Sequence, residues 1–202
     1  MHSIQALVHS HIEIKKSHFY GFVAPFNDES DIQRWFASLR EQFPDANHVC
    51  TAYVLNEGQT VRFDDDGEPS RTAGFPIAEV LRKHDLTNVA AAVVREFGGI
   101  KLGASGLVRA YTKSVSEALE KAVKVSKQTL LTVTCTLSYP LHARLERFLE
   151  ERFTVITTEF DAQITLTLQC LKDDYALLLR QLHDKAQAPI DLKIKLSEEV
   201  YR

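Results

Sequence analysis

The sequence has few cysteines and no long apolar run, and each absence excludes a class of protein. The 202 residues contain three cysteines, Cys50, Cys135 and Cys170, with no Cys-x-x-Cys pair. An odd, widely spaced set supplies neither a disulfide framework nor a zinc site, and it suits the reducing cytosol. No apolar stretch approaches the ~20 residues that span a bilayer, and the N-terminus lacks the apolar core of a secretory signal. We therefore expect a cytoplasmic protein without a membrane partner.

A large excess of charge of one sign is also missing. The formal net charge is −3, which argues against general attraction to nucleic acid but leaves room for a local basic patch. Hydrophobic residues make up 45% of the chain and charged residues 25%, as in ordinary soluble proteins that bury a core. The length fits one large domain or two small ones.

Residues 1–126 are predicted to form an N-terminal domain of mixed strands and helices. Apolar residues at Ile32, Trp35 and Leu39 recur at helical spacing, and Asp28 or Ser30 can cap that helix. The segment "GFPIAEVLRKHD" predicts a second helix. Strands are predicted for "HFYGFVAPF", "HVCTAYVLN", "TVRFD" and "NVAAAVVRE". The last is continuously apolar, which is typical of a central strand covered on both faces.

Residues 127–202 are predicted to form a second domain, because the pattern changes there to strict alternation. "TLLTVTCTLSY" and "QITLTLQCL" alternate apolar and polar residues, as does "IDLKIKLS" with Ile190, Leu192, Ile194 and Leu196 on its apolar side. With two helical patterns and the strand "FTVITTEF", the order is β-α-β-β-α-β. This order is that of a ferredoxin-like sandwich, so we expect a two-domain α+β protein.

The segment "EFGGIKLGASGLVRAY" concentrates glycine between the central strand and a helix predicted from about Gly106. Strand, glycine turn and helix together form an architecture that binds phosphate, because free amide groups point outward at the helix N-terminus. Against the phosphate-loop pattern G-x-x-x-x-G-K-[ST], Gly98, Gly103 and Ser105 are in register, but Ala104 replaces the lysine. Nucleotide hydrolysis by that route is therefore not expected.

A local excess of positive charge surrounds this segment. Between Arg95 and Lys127 there are seven cationic and three acidic residues. The candidate phosphate-binding residues are Arg95, Gly98, Gly99, Lys101, Gly103, Ser105, Gly106, Arg109 and Lys113. Arg109 and Lys113 share one helix face. The alternative is a solvated helix face that serves solubility.

Two further groups carry possible chemistry. The acidic turn Asp65, Asp66, Gly67 and Glu68 could share Mg²⁺ with a phosphate, which needs only one or two carboxylates, or it could be a polar turn. No cofactor other than Mg²⁺ is expected. His48 and Cys50 share a strand face and could form a nucleophilic pair, whereas a buried cysteine usually acts as a small hydrophobic residue.

Three motifs resemble the signatures of the IMPACT family, in its bacterial YigZ-type branch: "HVCTAYV", "FDDDGEPSRTAGFPI" and "NVAAAVVREFGGIKLGASGLVRAYTKSV". The resemblance implies an N-terminal α/β sandwich like the second domain of a small-subunit ribosomal protein, and a C-terminal domain like the last domain of elongation factor G. It implies regulation of translation, since eukaryotic members restrain a translational-control kinase. The sequence departs from the family pattern at Arg71, Phe75, Glu96 and Ser105.

We therefore expect a non-catalytic, translation-associated binding protein of the regulator type. Its glycine-rich basic groove would lie between residues 62–74 and 97–109 and hold RNA backbone or another phosphorylated ligand. Partners would be RNA, components of the ribosome or translation factors, or another protein. The alternatives are an enzyme acting on a phosphorylated small molecule, with Asp66 or Glu68 as base or Mg²⁺ ligand, and a pure protein-interaction module.

Overall fold

The computed structural model describes residues 1–187, residue 190 and residues 192–201. The chain divides into two compact units, Met1–Ser126 and Lys127–Arg202. Among the described helices, none combines the length and the apolar character needed to cross a membrane.

The first unit contains most of the secondary structure of the chain. Its strands are β1 (His2–Ile4), β2 (Val8–Ile14), β3 (Ser17–Pro25), β4 (His48–Leu55), β5 (Thr60–Asp64) and β6 (Val89–Glu96), and its helices are α1 (Glu29–Gln42), α2 (Gly74–Lys83) and α3 (Ala104–Leu119). The strand β7 (Lys124–Leu137) begins in this unit, where its first residues pair with β1, and continues into the second.

The main sheet of the first unit has the order β2-β3-β6-β4-β5, with antiparallel neighbours throughout. Strand β6 lies at its centre and is buried along almost its whole length, which confirms the prediction from its continuous apolar run. Alternate residues of β6 serve opposite faces: Ala91 belongs to the core beneath α2 and α3, whereas Ala90 packs with Ile32 of α1.

Helix boundaries in the first unit follow local signals closely. Asp28 caps α1 by accepting a hydrogen bond from the Ser30 amide at 2.7 Å, as one of the two predicted caps. Helix α3 begins at Ala104, two residues earlier than expected, because Gly103 turns the chain into the helix with φ +72° and ψ 164°. That backbone conformation is essentially restricted to glycine.

The second unit continues β7 with α4 (Tyr139–Arg152), β8 (Thr154–Phe160), β9 (Ile164–Leu171), α5 (Lys172–Ala186) and β10 (Lys193–Tyr201). The strand order is β10-β7-β9-β8, and all neighbours are antiparallel. This is the topology of the predicted ferredoxin-like sandwich, and the mixed α+β class of the chain is confirmed.

The last strand differs from its prediction. Ile190 and Leu192 are buried but precede β10, whereas Ile194 and Leu196 are 55% and 53% exposed. Residues 193–199 are all exposed, so the alternation of the sequence does not mark a buried face there, and a β-bulge between Ile194 and Leu196 shifts the register against β7. Residue 191 of the predicted strand lies outside the described residues.

Candidate functional site

A cavity of about 410 Å³ lies in the first unit where the glycine loop, residues 97–103, meets the start of α3. The end of β6, the start of β4 and the turn before α2 complete its wall. Residues 68 and 69 from one predicted segment and residues 97, 101–104 and 107 from the other line the same cavity.

The start of α3 presents unsatisfied amide groups. The first main-chain bond of the helix runs from the Leu107 amide to the Gly103 carbonyl at 2.9 Å, and no side chain caps this end. The N–H groups of Ala104, Ser105 and Gly106 therefore have no intrahelical acceptor. Gly103 and Ala104 line the cavity, so the positive end of the helix dipole lies at its wall. Such an end binds anions.

The two glycines of the loop that follow Phe97 have different roles. A Cβ on Gly98 would lie 2.0 Å from main-chain atoms of Lys16, in the turn between β2 and β3, and the Gly98 amide donates to Ser17 Oγ at 3.1 Å. Gly98 therefore allows the loop to pack on that turn. Gly99 adopts φ +83°, and no other atom lies within 4 Å of its Cβ position. Glycine is therefore favoured there by the left-handed backbone conformation and not by a lack of space.

A buried ion pair forms part of the cavity wall. Arg95 Nη1 donates to Glu68 Oε1, and the Tyr111 hydroxyl donates to the same oxygen at 2.8 Å. The Arg95 side chain is 6% exposed and that of Glu68 is 4%. The guanidinium carbon lies 5.4 Å from the ring centroid of Phe19 and 5.3 Å from that of Phe97. Glu68 therefore compensates the charge of Arg95.

One donor of this guanidinium has no acceptor. Within the described part of the chain, Arg95 Nε is the buried side-chain nitrogen or oxygen atom that lacks a hydrogen-bond partner. Buried polar atoms are nearly always satisfied, and exceptions are found at functional sites. Arg95 lines the cavity beside the uncapped helix end, while its Nε itself is buried within the wall.

Strand register brings His48 to the cavity. His48 lies opposite Arg95 in the pairing of β4 with β6. Its Nδ1 donates to the Asp66 carbonyl at 2.7 Å, because a carbonyl oxygen can only accept, and Nε2 lies 4.0 Å from Glu68 Oε1. Cys50 instead lies in the core, where burial raises the pKa of its thiol well above its ordinary range. This favours a structural role for Cys50 over a nucleophilic one.

The acidic turn is bound to protein donors. The Asp65 carboxylate accepts hydrogen bonds from the amides of residues 71, 73 and 74 and so caps the start of α2. Asp66 accepts from the Val49 amide and forms an ion pair with Arg40 at 2.8 Å. Gly67 supplies the left-handed conformation of the turn, with φ +83°. Among the described residues, no group of three His, Cys, Asp or Glu side chains is placed to hold a metal ion.

The four predicted cations do not converge. Arg95 and Lys101 line the cavity, whereas Arg109 and Lys113 are exposed farther along α3 and are not among the residues that line it. Arg109 Nε donates to the Ser105 carbonyl at 3.2 Å, and Lys113 forms an ion pair with Glu117 at 3.5 Å. The expectation that Arg109 and Lys113 share the groove is therefore not met, because both side chains lie beyond the first turn.

Sequence reasoning missed several residues that line the cavity, among them Phe97, and it did not show that two of the departures from the family pattern contact each other. Phe97 lines the cavity and is 44% exposed; an aromatic residue directly after a buried strand was the signal for it. The departures at Arg71 and Phe75 form one contact, with the guanidinium carbon 4.1 Å from the ring centroid. Arg71 adopts φ +61°, a left-handed conformation that glycine adopts without strain.

The fold and this site define a two-domain α+β protein with a cavity at the uncapped start of α3 in its first domain. The family model described as the Impact N-terminal domain matches residues 15–119, more than half of the chain. A second model, described as a domain of unknown function (DUF1949), matches residues 135–188. The chain belongs to the IMPACT family.

Individual relatives agree with this assignment. The IMPACT family member YvyE of Bacillus subtilis is 40% identical over 141 residues, which are 69% of this chain and 65% of that protein, slightly less than two thirds of its length. The IMPACT family member YigZ of Escherichia coli is 32% identical over 184 residues, 89% of this chain and 90% of that protein. A crystal structure of a hypothetical protein matches 98% of both chains, with 30% identity and a TM-score of 0.63.

Proposed function

We propose that this protein is a non-catalytic, cytoplasmic binding protein associated with translation, and that it holds RNA backbone or another phosphorylated ligand in the cavity at the start of α3. One observation carries the proposal. The uncapped start of α3, at Gly103 and Ala104, lines a single cavity together with Lys101 and Arg95. Amide groups at a helix end, together with nearby cations, are the usual donors to phosphate oxygens.

The attraction is local. The whole chain has a formal charge of −3, and Glu68 compensates the charge of Arg95. The remaining positive potential comes from Lys101 and from the helix end, which is equivalent to about half an elementary charge. We therefore expect a modest affinity that depends on this cavity and not on the general basic character of α3.

A binding role agrees better with the site than catalysis does. An enzymatic role would use the carboxylates of Asp66 and Glu68. Both already form ion pairs with arginine side chains, and Asp66 also accepts a hydrogen bond from a main-chain amide. The thiol of Cys50 is buried, and its pKa is raised. The link to translation rests on the resemblance of the glycine and acidic motifs to the IMPACT family, for which the partners would be RNA, the ribosome or translation factors.

Fluorescence anisotropy with a short labelled RNA tests the proposal. We expect binding that weakens steeply with salt and a Lys101→Ala variant that binds less tightly. If Lys101 contacts one phosphate, the slope of log K against log salt decreases by about 0.7 for a single strand. Lys83→Ala, at the exposed end of α2, removes the same charge outside the cavity and serves as the matched control. Absent or salt-insensitive binding, or equal losses in both variants, would contradict the proposal.

A further inference from the structure

The cavity combines a polar end with an apolar side. The polar end contains the start of α3, at Gly103 and Ala104, together with Lys101 and Arg95. The apolar side contains Phe97, Leu102 and Leu107. The volume of about 410 Å³ lies in the range of roughly 300–1,000 Å³ for pockets that bury small molecules. A single small unit with an anionic end can contact both the polar end and the apolar side of such a pocket.

The donors at the polar end suit a terminal phosphate. The uncapped start of α3, at Gly103 and Ala104, lines the same space as Lys101 and Arg95. A phosphate monoester offers three terminal oxygens and nearly two negative charges, whereas a diester within a chain offers two free oxygens and one charge. The monoester therefore satisfies more of these donors.

Phe97 supplies the contact for the rest of the ligand. It is 44% exposed, although it borders a cavity and follows a buried strand. The cation of Arg95 lies 5.3 Å from its ring centroid. An aromatic ring in this setting stacks on a planar base, and such stacking accepts any base. Phe97 would therefore contact the base of one nucleotide, while the start of α3 would contact its phosphate.

We propose that the cavity binds a nucleotide through a terminal phosphate monoester, with the phosphate at the N-terminus of α3 and the base against Phe97. The inference rests on the proposed function and makes it specific. The same chemistry occurs in a free nucleoside monophosphate and at the phosphorylated end of an RNA. Under this proposal, internal phosphates of an RNA chain are not the preferred ligand.

The first test compares ligands on the full chain. The probes are adenosine, adenosine 5′-monophosphate, inorganic phosphate, and one short RNA with either a 5′-phosphate or a 5′-hydroxyl. We expect the monophosphate to bind and adenosine not to, and the 5′-phosphorylated RNA to bind about tenfold or more tightly than the 5′-hydroxyl form. Preference for the free mononucleotide over the RNA end, or the reverse, identifies the source.

The second test uses two matched pairs of variants. Phe97→Leu is expected to weaken adenosine monophosphate binding about fivefold or more and to leave inorganic phosphate unchanged. Phe63→Leu, at a phenylalanine that is 43% exposed on β5, is the control. Ala104→Asp places a carboxylate at the helix end, so it should abolish phosphate binding while the thermal midpoint of the free protein is kept or raised. Gln33→Glu on the exposed side of α1 is its charge-matched control.

The outcomes separate the two claims. Equal affinity for the 5′-phosphate and 5′-hydroxyl RNAs would overturn this inference and leave the proposed function intact. Loss of inorganic phosphate binding with Phe97→Leu, or no loss of nucleotide binding, would overturn the placement of the base. No binding of any RNA or nucleotide would overturn both the inference and the proposed function.

Discussion

Replacing Glu68 by glutamine tests the buried ion pair that forms the wall of the cavity. The amide keeps the shape of the side chain and an oxygen for the Tyr111 hydroxyl, but it removes the charge that compensates Arg95. With the Arg95 side chain only 6% exposed, the guanidinium would remain buried without a counter-charge. Breaking a buried pair in this way costs about 3–5 kcal/mol, which is a large fraction of the ~5–15 kcal/mol that stabilises a typical domain.

The single tryptophan makes the measurement specific to one unit. Trp35 lies on α1 and packs near Phe26 and Phe36, with ring centroids 5.2 and 5.3 Å away. Its fluorescence therefore reports unfolding of the first unit in urea, whatever the second unit does. We expect Glu68→Gln to lower the free energy of unfolding of that unit by about 3–5 kcal/mol at neutral pH.

The double variant distinguishes loss of a counter-charge from loss of packing. Arg95→Met in the Glu68→Gln background removes the uncompensated charge and keeps an apolar chain beside Phe19 and Phe97. We expect the double variant to be more stable than Glu68→Gln alone, because an apolar replacement of a buried pair is often neutral. A Glu68→Gln loss below about 1 kcal/mol, or a double variant in which the two losses simply add, would refute the reasoning.

Three other predictions concern packing, thiols and pH. Gly98→Ala should destabilise the first unit by about 3 kcal/mol or more in the same urea assay, since its Cβ would lie 2.0 Å from the backbone of the β2–β3 turn; wild-type stability would disprove that contact. Burial raises the pKa of the Cys50 thiol, and it raises the pKa of the Cys135 thiol to about 11. A thiol reagent at pH 8 should therefore modify both cysteines only after unfolding, and stoichiometric labelling of either one in the folded chain would contradict this. Burial and the hydrogen bond to Glu29 raise the pKa of Tyr53 from 10.0 to about 12, so the stability that its hydroxyl adds is fully present below pH 10 and is lost as the pH rises through 12. The stability difference from Tyr53→Phe should shrink over that interval, and a difference independent of pH would refute the assignment.

Local patterns predicted most of the fold. The alternation of β9 corresponds directly to burial, because Ile164, Leu166, Leu168 and Cys170 all face the core of the second unit. The continuous apolar run of β6 correctly indicated the centre of a sheet. These patterns succeed because side-chain direction repeats every two residues in a strand, so one buried face is visible in the sequence itself.

The glycine loop was also located from sequence, but its charges were not. The spacing of Arg109 and Lys113 correctly placed them on the outside of α3, yet it could not show that the cavity adjoins the first turn alone. Exposure on a helix is a local property, whereas the position of a cavity depends on which other segments pack there.

The sequence by itself determined the two α+β domains, the helix that begins at the glycine loop and the concentration of donors around it. The tertiary structure alone decided that Arg95 is paired with Glu68, 27 residues away in the sequence. It also decided that His48 lies directly opposite Arg95 in the pairing of the neighbouring strands β4 and β6. The physical reason is that backbone preference and one-sided burial act over a few residues, whereas the partner of a buried charge is selected by strand register and by the cost of leaving that charge alone.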